Sequence, residues 1–466
     1  MSIATSTHPT VDAEAAQTRG QIHLGVFFQG VNFSTVWNAA ESGSQTEFES
    51  FRRLIQTAER GLFSAFFLGE GLRLREHLGA IHALDVVGRP DAGIQLAALA
   101  AVTHRIGLVA TQNTTFHEPT ALAHRLGTLD LLSEGRAAWN IVTTDNAWTG
   151  ENFRRGGYLD HADRYTHAEY VVNTVKALWD SYPADAPADS PDAAAWSAPG
   201  TAESVVTADR YTSVAAVSRV PRSAQEHPVL FQAGDSPEGR DFAARNADVI
   251  FSTHSAFEAA TDFAADIRHR TEAAGRPADD LKIFPGQEFI LADTEAEARD
   301  KARWVRESQV TPQTALAFLE QTWGRSLGEF DPEGPLPDIP SVAEQTSETR
   351  GTGFHGHRAA EQIASWRALS EEKGLSIRQL VIHLTSGRGF VGSYSGVADE
   401  LLRYAEAGVV DGFNVTPYLV PSGLDDIVNG LIPELQERGI YPTEYRGETL
   451  REHLGLRRPL TRRHLA

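Results

Sequence analysis

Three short stretches of this chain carry residues of the kind that do chemistry. The first is Gly234-Asp235-Ser236-Pro237, a polar turn between the apolar run Val229-Leu230-Phe231 and a stretch with Phe242, Ala243 and Ala247 at helical spacing. Ser236 before Pro237 reads as an N-cap followed by proline at the first helical position, while Asp235 with Glu238 reads equally as a capping box one residue earlier. Either register starts a helix with free backbone N–H groups, and Gly234 lets backbone approach a ligand closely. Such a start can hold a phosphate, or it can be an ordinary cap. It is not a P-loop, because Arg240-Asp241 stands where Lys-Ser/Thr is required.

The second stretch runs His161-Ala162-Asp163-Arg164-Tyr165-Thr166-His167-Ala168-Glu169. As a metal site it is weak: it lacks HExxH, and His161 and His167 are six apart, a poor fit to one helix face. His161 and Tyr165, four apart at a helix start, can instead point into the same space, or simply into solvent. The third is Gly387-Arg388-Gly389-Phe390-Val391-Gly392, a literal GxGxxG with Asp411 about the right distance onward. The dinucleotide fingerprint puts its acid at the end of the second strand, whereas Asp411 precedes Phe413-Asn414-Val415.

Composition removes several chemistries. There is no cysteine in the 466 residues, which excludes thiolate nucleophiles, zinc-thiolate sites and iron–sulfur clusters. A formal charge of −20 argues against nucleic acid or an anionic membrane as main partner. No run of about 18 apolar residues exists to span a bilayer, and the first 20 residues show no secretory pattern, so a cytoplasmic protein with a flexible leader is expected.

The elements that position these stretches alternate. Apolar runs at 22–28, 65–68, 106–111, 137–142, 229–231, 249–251, 283–291 and 412–416 read as strands buried on both faces. Helical periodicity fills the intervals at 47–60, 94–103, 119–132, 165–179, 396–405 and 424–435. About eight such units in one chain predict an α/β fold, a (β/α)8 TIM barrel, with insertions after strands 4 and 7. The expected layout is a leader at 1–20, one barrel domain at 21–450 and a tail at 451–466. Residues 324–357, rich in Gly, Pro, Glu and Ser, are expected to be a mobile lid, and 380–384 an extra strand or part of that excursion. Strand ends in such a barrel carry the site, and here they are mostly neutral hydrogen-bonding groups: Gln29, Glu70, Thr111-Gln112-Asn113, Asn140 with Thr143 and Thr144, Gln232 with Asp235 and Ser236, and Asn414 with Thr416. That lining suits a polar, planar cofactor better than hydrolysis.

Several segments together resemble the bacterial-luciferase-like flavin monooxygenases of the nitrilotriacetate/dibenzothiophene-sulfone/pristinamycin-synthase type. They include TQNTTFHEPTALAHRLGTLDLLSEGRAAWNIVTT, RYTHAEYVVNTVKALWDSY, PVLFQAGDSPEGRDFAARNADVIFS and the closing TLREHLGL, in order from Arg105 onward. The resemblance implies a TIM barrel that binds reduced FMN at its strand ends and forms a peroxyflavin with O2. By position it implies flavin contacts from Glu70, Thr111, Asn140, His161, Tyr165, Asp235 and Ser236, with His161 also given the catalytic role. Two residues depart from the family pattern: Glu70 stands where Asp is usual, and Asp235 where a second serine is usual. A carboxylate beside a phosphate repels it unless it turns away.

The implied partners are a separate flavin reductase delivering reduced FMN by diffusion, O2 and a small organic substrate; a homo-oligomer is the expected assembly. A deazaflavin-dependent oxidoreductase of the same fold and a non-catalytic flavin-binding protein are the alternatives. A hydrolase has no nucleophile–base pair or metal set to support it.

Overall fold

The computed structural model describes residues 20–28, 34–77, 79–81, 90–144, 147–153, 163–182, 202–342, 349–350, 359–386 and 389–459. His161, and with it Gln29, Gly387 and Arg388, lies outside them, as does the 1–19 leader.

Eight parallel strands close into a barrel: β1 His23–Phe28, β2 Ala65–Leu68, β3 Gly107–Asn113, β4 Ala137–Val142, β5 Val229–Gln232, β6 Val249–Ser252, β7 Lys282–Gln287 and β8 Gly412–Val415. Each pairs with its sequence neighbours, and β8 returns to β1 with Gly25 opposite Asn414. The helices that face it include α1 Phe48–Arg60, α2 Ala92–Ala100, α3 Pro119–Leu132, α4 Asp163–Trp179, α5 Pro237–Asn246 and α6 Phe257–Ala273, with Tyr394–Ala407 and Ile432–Glu437 beside β8.

Strand alternation divides the apolar residues into two cores. Phe66, Leu108, Trp139, Leu230 and Phe413 face outward and pack with the helices. Ala65, Phe67, Val109, Ala138, Phe231 and Phe284 face inward and fill the barrel axis. This period of two explains why the strands read as continuous apolar runs, since both faces are buried. Leu450 and Leu454 belong to the inner core. They come from the short helix Leu450–His453 and its C-cap, started by a Thr449/Glu452 capping box, which plugs the barrel's N-terminal end. A Cβ on Gly107 would lie 2.4 Å from Leu450 Cδ1, so glycine there makes room for the plug. The closing segment is therefore barrel core as far as Leu454, beyond the boundary at 450.

After β7 the chain departs from the expected path. The single strand at 283–291 is two: Lys282–Gln287 stays in the barrel, and Phe289–Ala292 pairs in parallel with Phe390–Ser393 outside it. Between them lie α7 Glu295–Gln309, α8 Pro312–Trp323, α9 Ala359–Lys373 and α10 Ile377–Thr385. The last three build a small core of their own around Leu319, Trp323, Trp366 and Leu380. Residues 380–384 are therefore helical, with a Ser376/Gln379 capping box, and not a strand. The described part of the 324–357 stretch is tied down: Leu327 is buried and Val342 N donates to Trp323 O at 2.9 Å. Low apolar periodicity there reflects turns packed on a helical core. A hairpin, Val205–Ala208/Ser213–Ala216, lies between β4 and β5, its strands too short to show a period in the sequence.

Candidate functional site at the barrel mouth

The C-terminal ends of β3 and β4 bring Thr111 and Asn140 side by side as register partners. Asn140 Nδ2 donates to Thr111 Oγ1 at 3.1 Å. Asn140 Oδ1 is buried without a hydrogen-bond partner among the described residues, and so are both amide atoms of Asn414 on β8. Orphaned amide atoms in a barrel mouth cost free energy unless something polar meets them.

Glu70 follows β2. Its Oε2 accepts from Ala92 N at 3.2 Å, at the first residue of α2, and Gln112 Nε2 lies 3.5 Å away. Burial pushes its carboxyl up to about 7, outweighing the lowering by the Ala92 N–H.

The turn after β5 is built as a close-approach site. Ser236 is the N-cap of α5, its Oγ accepting from Gly239 N at 3.2 Å, which settles the register in favour of Ser236 over Asp235. Tyr165, on α4, leans its ring on Phe242 at 5.7 Å and brings its hydroxyl over the turn. A Cβ on Gly234 or Gly239 would lie 2.9 or 2.7 Å from the Tyr165 hydroxyl oxygen. Gln232 Nε2, 2.6 Å from a Cβ on Gly234, and the mutual approach of the two glycine backbones close the same space. Asp235 turns its carboxylate away: Arg240 Nη2 donates to Oδ1 at 2.7 Å, and His254 Nε2 lies 3.0 Å from the same oxygen.

Thus Glu70, Thr111, Asn140, Tyr165, Asp235 and Ser236 all stand at the C-terminal ends of barrel strands or on the loops and helices that follow them. His167, the other histidine of the 161–169 stretch, is buried and bonds Asp209 at 2.6 Å, which is a structural role. No group of three or more His, Asp or Glu among the described residues could hold a metal ion.

A contact that sequence reading missed ties two loops at this mouth. Arg73, after β2, stacks over Trp148 at 3.2 Å and pairs with Glu151 at 2.7 Å, both after β4. Partners about 75 residues apart leave no local signal. A cleft of about 340 Å³ between α2 and α3, lined by Ile94, Ala97 and Leu129, opens on the outside of the barrel.

The described part of the GxGxxG stretch, from Gly389 on, is structural. Gly389 has φ +101 and its Cβ would meet Glu288 O at 2.7 Å, so the glycine permits the Phe289–Ala292 pairing. Asp411 Oδ2 accepts from Ile283 N at 3.0 Å, near the N-terminal end of β7 and far from any nucleotide role.

Residues 25–411 match the family described as luciferase-like monooxygenase. Nitrilotriacetate monooxygenase component A of Aminobacter aminovorans is 34% identical over 455 residues, covering 94% of this chain and 97% of that protein. N-acetyl-S-(2-succino)cysteine monooxygenase of Bacillus subtilis (strain 168) is 34% identical over 449 residues, covering 95% and 98%. A riboflavin lyase solved with modified FMN and riboflavin superposes with TM-score 0.75 at 29% identity, covering 93% of this chain and 96% of that one. The chain belongs to the luciferase-like monooxygenase family and is an oxidoreductase of the flavin-dependent type.

Proposed function

We propose that the enzyme binds reduced FMN at the mouth described above and oxygenates a small organic substrate, with the reduced flavin delivered through solution by a separate reductase. The observation that carries this reading is the convergence of Tyr165 and the Ser236-capped start of α5, a phosphate cradle, at the same barrel end as the Thr111–Asn140 pair. The residues fit the group. The turn's glycines admit a close ligand, and Asn140 Oδ1 has a spare lone pair for a polar ring edge.

Bound reduced flavin supplies the two electrons with which O2 is divided, one oxygen going to the substrate and the other to water. The chain's part is to bind, orient and shelter. Ser236, Tyr165 and the first turn of α5 would hold the phosphate. Thr111 and Asn140 would orient the ring. Glu70, held near neutrality, can keep a proton in the site at physiological pH. His161 keeps the catalytic assignment implied by the family. Asp235 belongs to the site through its place in the turn, its charge being spent on Arg240.

Anaerobic titration with reduced FMN and with a reduced deazaflavin tests the cofactor, FMN being the tighter ligand on this reading. Oxygen uptake with chemically reduced FMN, with no reductase present, tests the monooxygenase step; an absence of substrate-stimulated uptake across candidate substrates would leave a flavin-binding protein. NADH or NADPH should be consumed only after a reductase is added, and an unrelated reductase should suffice. A requirement for one cognate reductase would replace diffusion by a complex.

A further inference from the structure

The turn that would hold the phosphate lies beside a cluster of charges that cancel one another. All three nitrogens of the Arg240 guanidinium reach a carboxylate: Nη2 and Nε reach Asp235 Oδ1 at 2.7 and 3.2 Å, and Nη1 reaches Asp266 Oδ2 at 2.9 Å. Arg270 bonds Asp266 Oδ1 at 2.9 Å and pairs with Asp241. His254 approaches both Asp235 oxygens, at 3.0 and 3.1 Å, and stacks on Phe263, whose ring also lies under Arg240 at 4.8 Å. Three carboxylates therefore face two guanidinium groups.

Arg240 is nonetheless a cation close to the turn, as is Arg270, whose Nη1 lies 3.5 Å from Pro237 O. Arg240 sits one turn into α5, folds back towards the helix start, and donates through Nε to Asp235 O at 3.1 Å, on the backbone of the turn itself. What keeps it from a ligand is the Asp235 carboxylate, which takes Nη2 and shares Nε. A serine would make no ion pair, leaving Arg240 with Asp266 alone.

We propose that Asp235 sets the phosphate selectivity of the cofactor site by holding Arg240 in an internal ion pair. The inference rests on the reading that this turn receives the phosphate of a flavin. In the natural sequence the phosphate meets Ser236, Tyr165 and backbone N–H groups without Arg240, so the phosphorylated flavin is favoured modestly over riboflavin. Removing the carboxylate converts Arg240 into a charge-assisted phosphate ligand and makes the preference steep and salt-dependent.

Equilibrium binding of FMN and of riboflavin to the full chain, read by flavin fluorescence at low and high salt, tests this without turnover. D235S should raise FMN affinity about tenfold, with riboflavin affinity held within about twofold, and high salt should shrink the gain. D235N, which keeps the side chain's shape, should act the same way and guards against a misfolded serine variant. The gain should vanish in D235S/R240Q. A gain that survives there would overturn the role of Arg240 and leave only relieved repulsion. Equal weakening of both flavins by D235S and D235N would overturn the proposal too, making Asp235 a prop for the turn. The underlying reading fails separately: wild-type protein would then bind FMN and riboflavin alike, and S236A would not change their ratio.

Discussion

Two strand-to-helix junctions in this enzyme are nearly the same locally and differ in what meets them. At the first, β5 runs into α5 and Ser236 caps the helix by accepting from Gly239 N at 3.2 Å. At the second, Phe390–Ser393 runs into the helix Tyr394–Ala407 and Ser393 accepts from Gly396 N at 3.1 Å. Both carry glycines that look like ligand motifs. At the second junction, however, the anion position is filled by the protein: Glu295 Oε1 accepts from Ser393 N at 2.9 Å and from Ser393 Oγ at 3.1 Å. At the first, Asp235 is drawn off to Arg240, and Tyr165 stands over the turn. A third helix start, that of α2, is met by Glu70 through Ala92 N. A capped helix start becomes a ligand site when the rest of the fold leaves its N–H groups without a carboxylate.

The largest expected difference comes from the glycines. A Cβ on Gly239 would lie 2.7 Å from the Tyr165 hydroxyl and 2.9 Å from Gly234 backbone, which cannot move cheaply. Gly239→Ala should lower stability by about 1–3 kcal/mol and cut flavin affinity by about tenfold or more. At Gly392 the nearest atoms are Glu295 Oε1 at 3.0 Å and Val397 Cγ2 at 3.2 Å, both ends of side chains that can yield. Gly392→Ala should cost less than about 1 kcal/mol and leave flavin binding alone. Thermal denaturation and flavin titration of both variants measure this; equal effects on flavin would erase the distinction.

The serines come next. Ser236→Ala and Ser393→Ala should each cost about 1 kcal/mol of stability as lost caps. Only Ser236→Ala should weaken FMN, by about 1–2 kcal/mol, as expected for a hydrogen bond to a charged group. Unchanged affinity would move the phosphate elsewhere.

Glu70 sharpens the comparison through pH. Its folded value of about 7 lies above the ordinary 4.5, so the folded state keeps a proton that the unfolded chain gives up. Its contribution to stability is fully present below 4.5 and is lost as pH rises through about 7. Glu70→Gln should flatten the fall in melting temperature across that window; a parallel profile in the variant would show that burial does not hold the proton.

The smallest effect belongs to Glu295. Its bonds from Ser393 N–H and O–H hold the carboxyl below its ordinary 4.5. The stabilisation is present above that value and fades as pH falls through the depressed one. Glu295→Gln should lower the melting temperature slightly at neutral pH, less so in acid, with flavin affinity unchanged. A loss of flavin binding would mean that the two junctions communicate.

Period and punctuation settled much in advance. Strands buried on both faces, the helix faces between them and the Ser236-Pro237 cap are local consequences of residue type, so the barrel and the start of α5 were legible. The family resemblance then assigned Glu70, Thr111, Asn140, Tyr165 and Ser236 to one end. What local pattern could not reach was partnership across the chain. The break of 283–291 into two strands depends on Phe390–Ser393, about a hundred residues away. The helical nature of 380–384 depends on the core around Trp323 and Trp366. Whether Asp235 repels a phosphate or is neutralised depends on Arg240, legible as a neighbour, and on His254 and Asp266, which only the packing of α5 against α6 brings near. Local propensity decides which segments bend, twist and cap. Charge balance and ligand access depend on distances between segments, and those exist only once the chain has closed on itself.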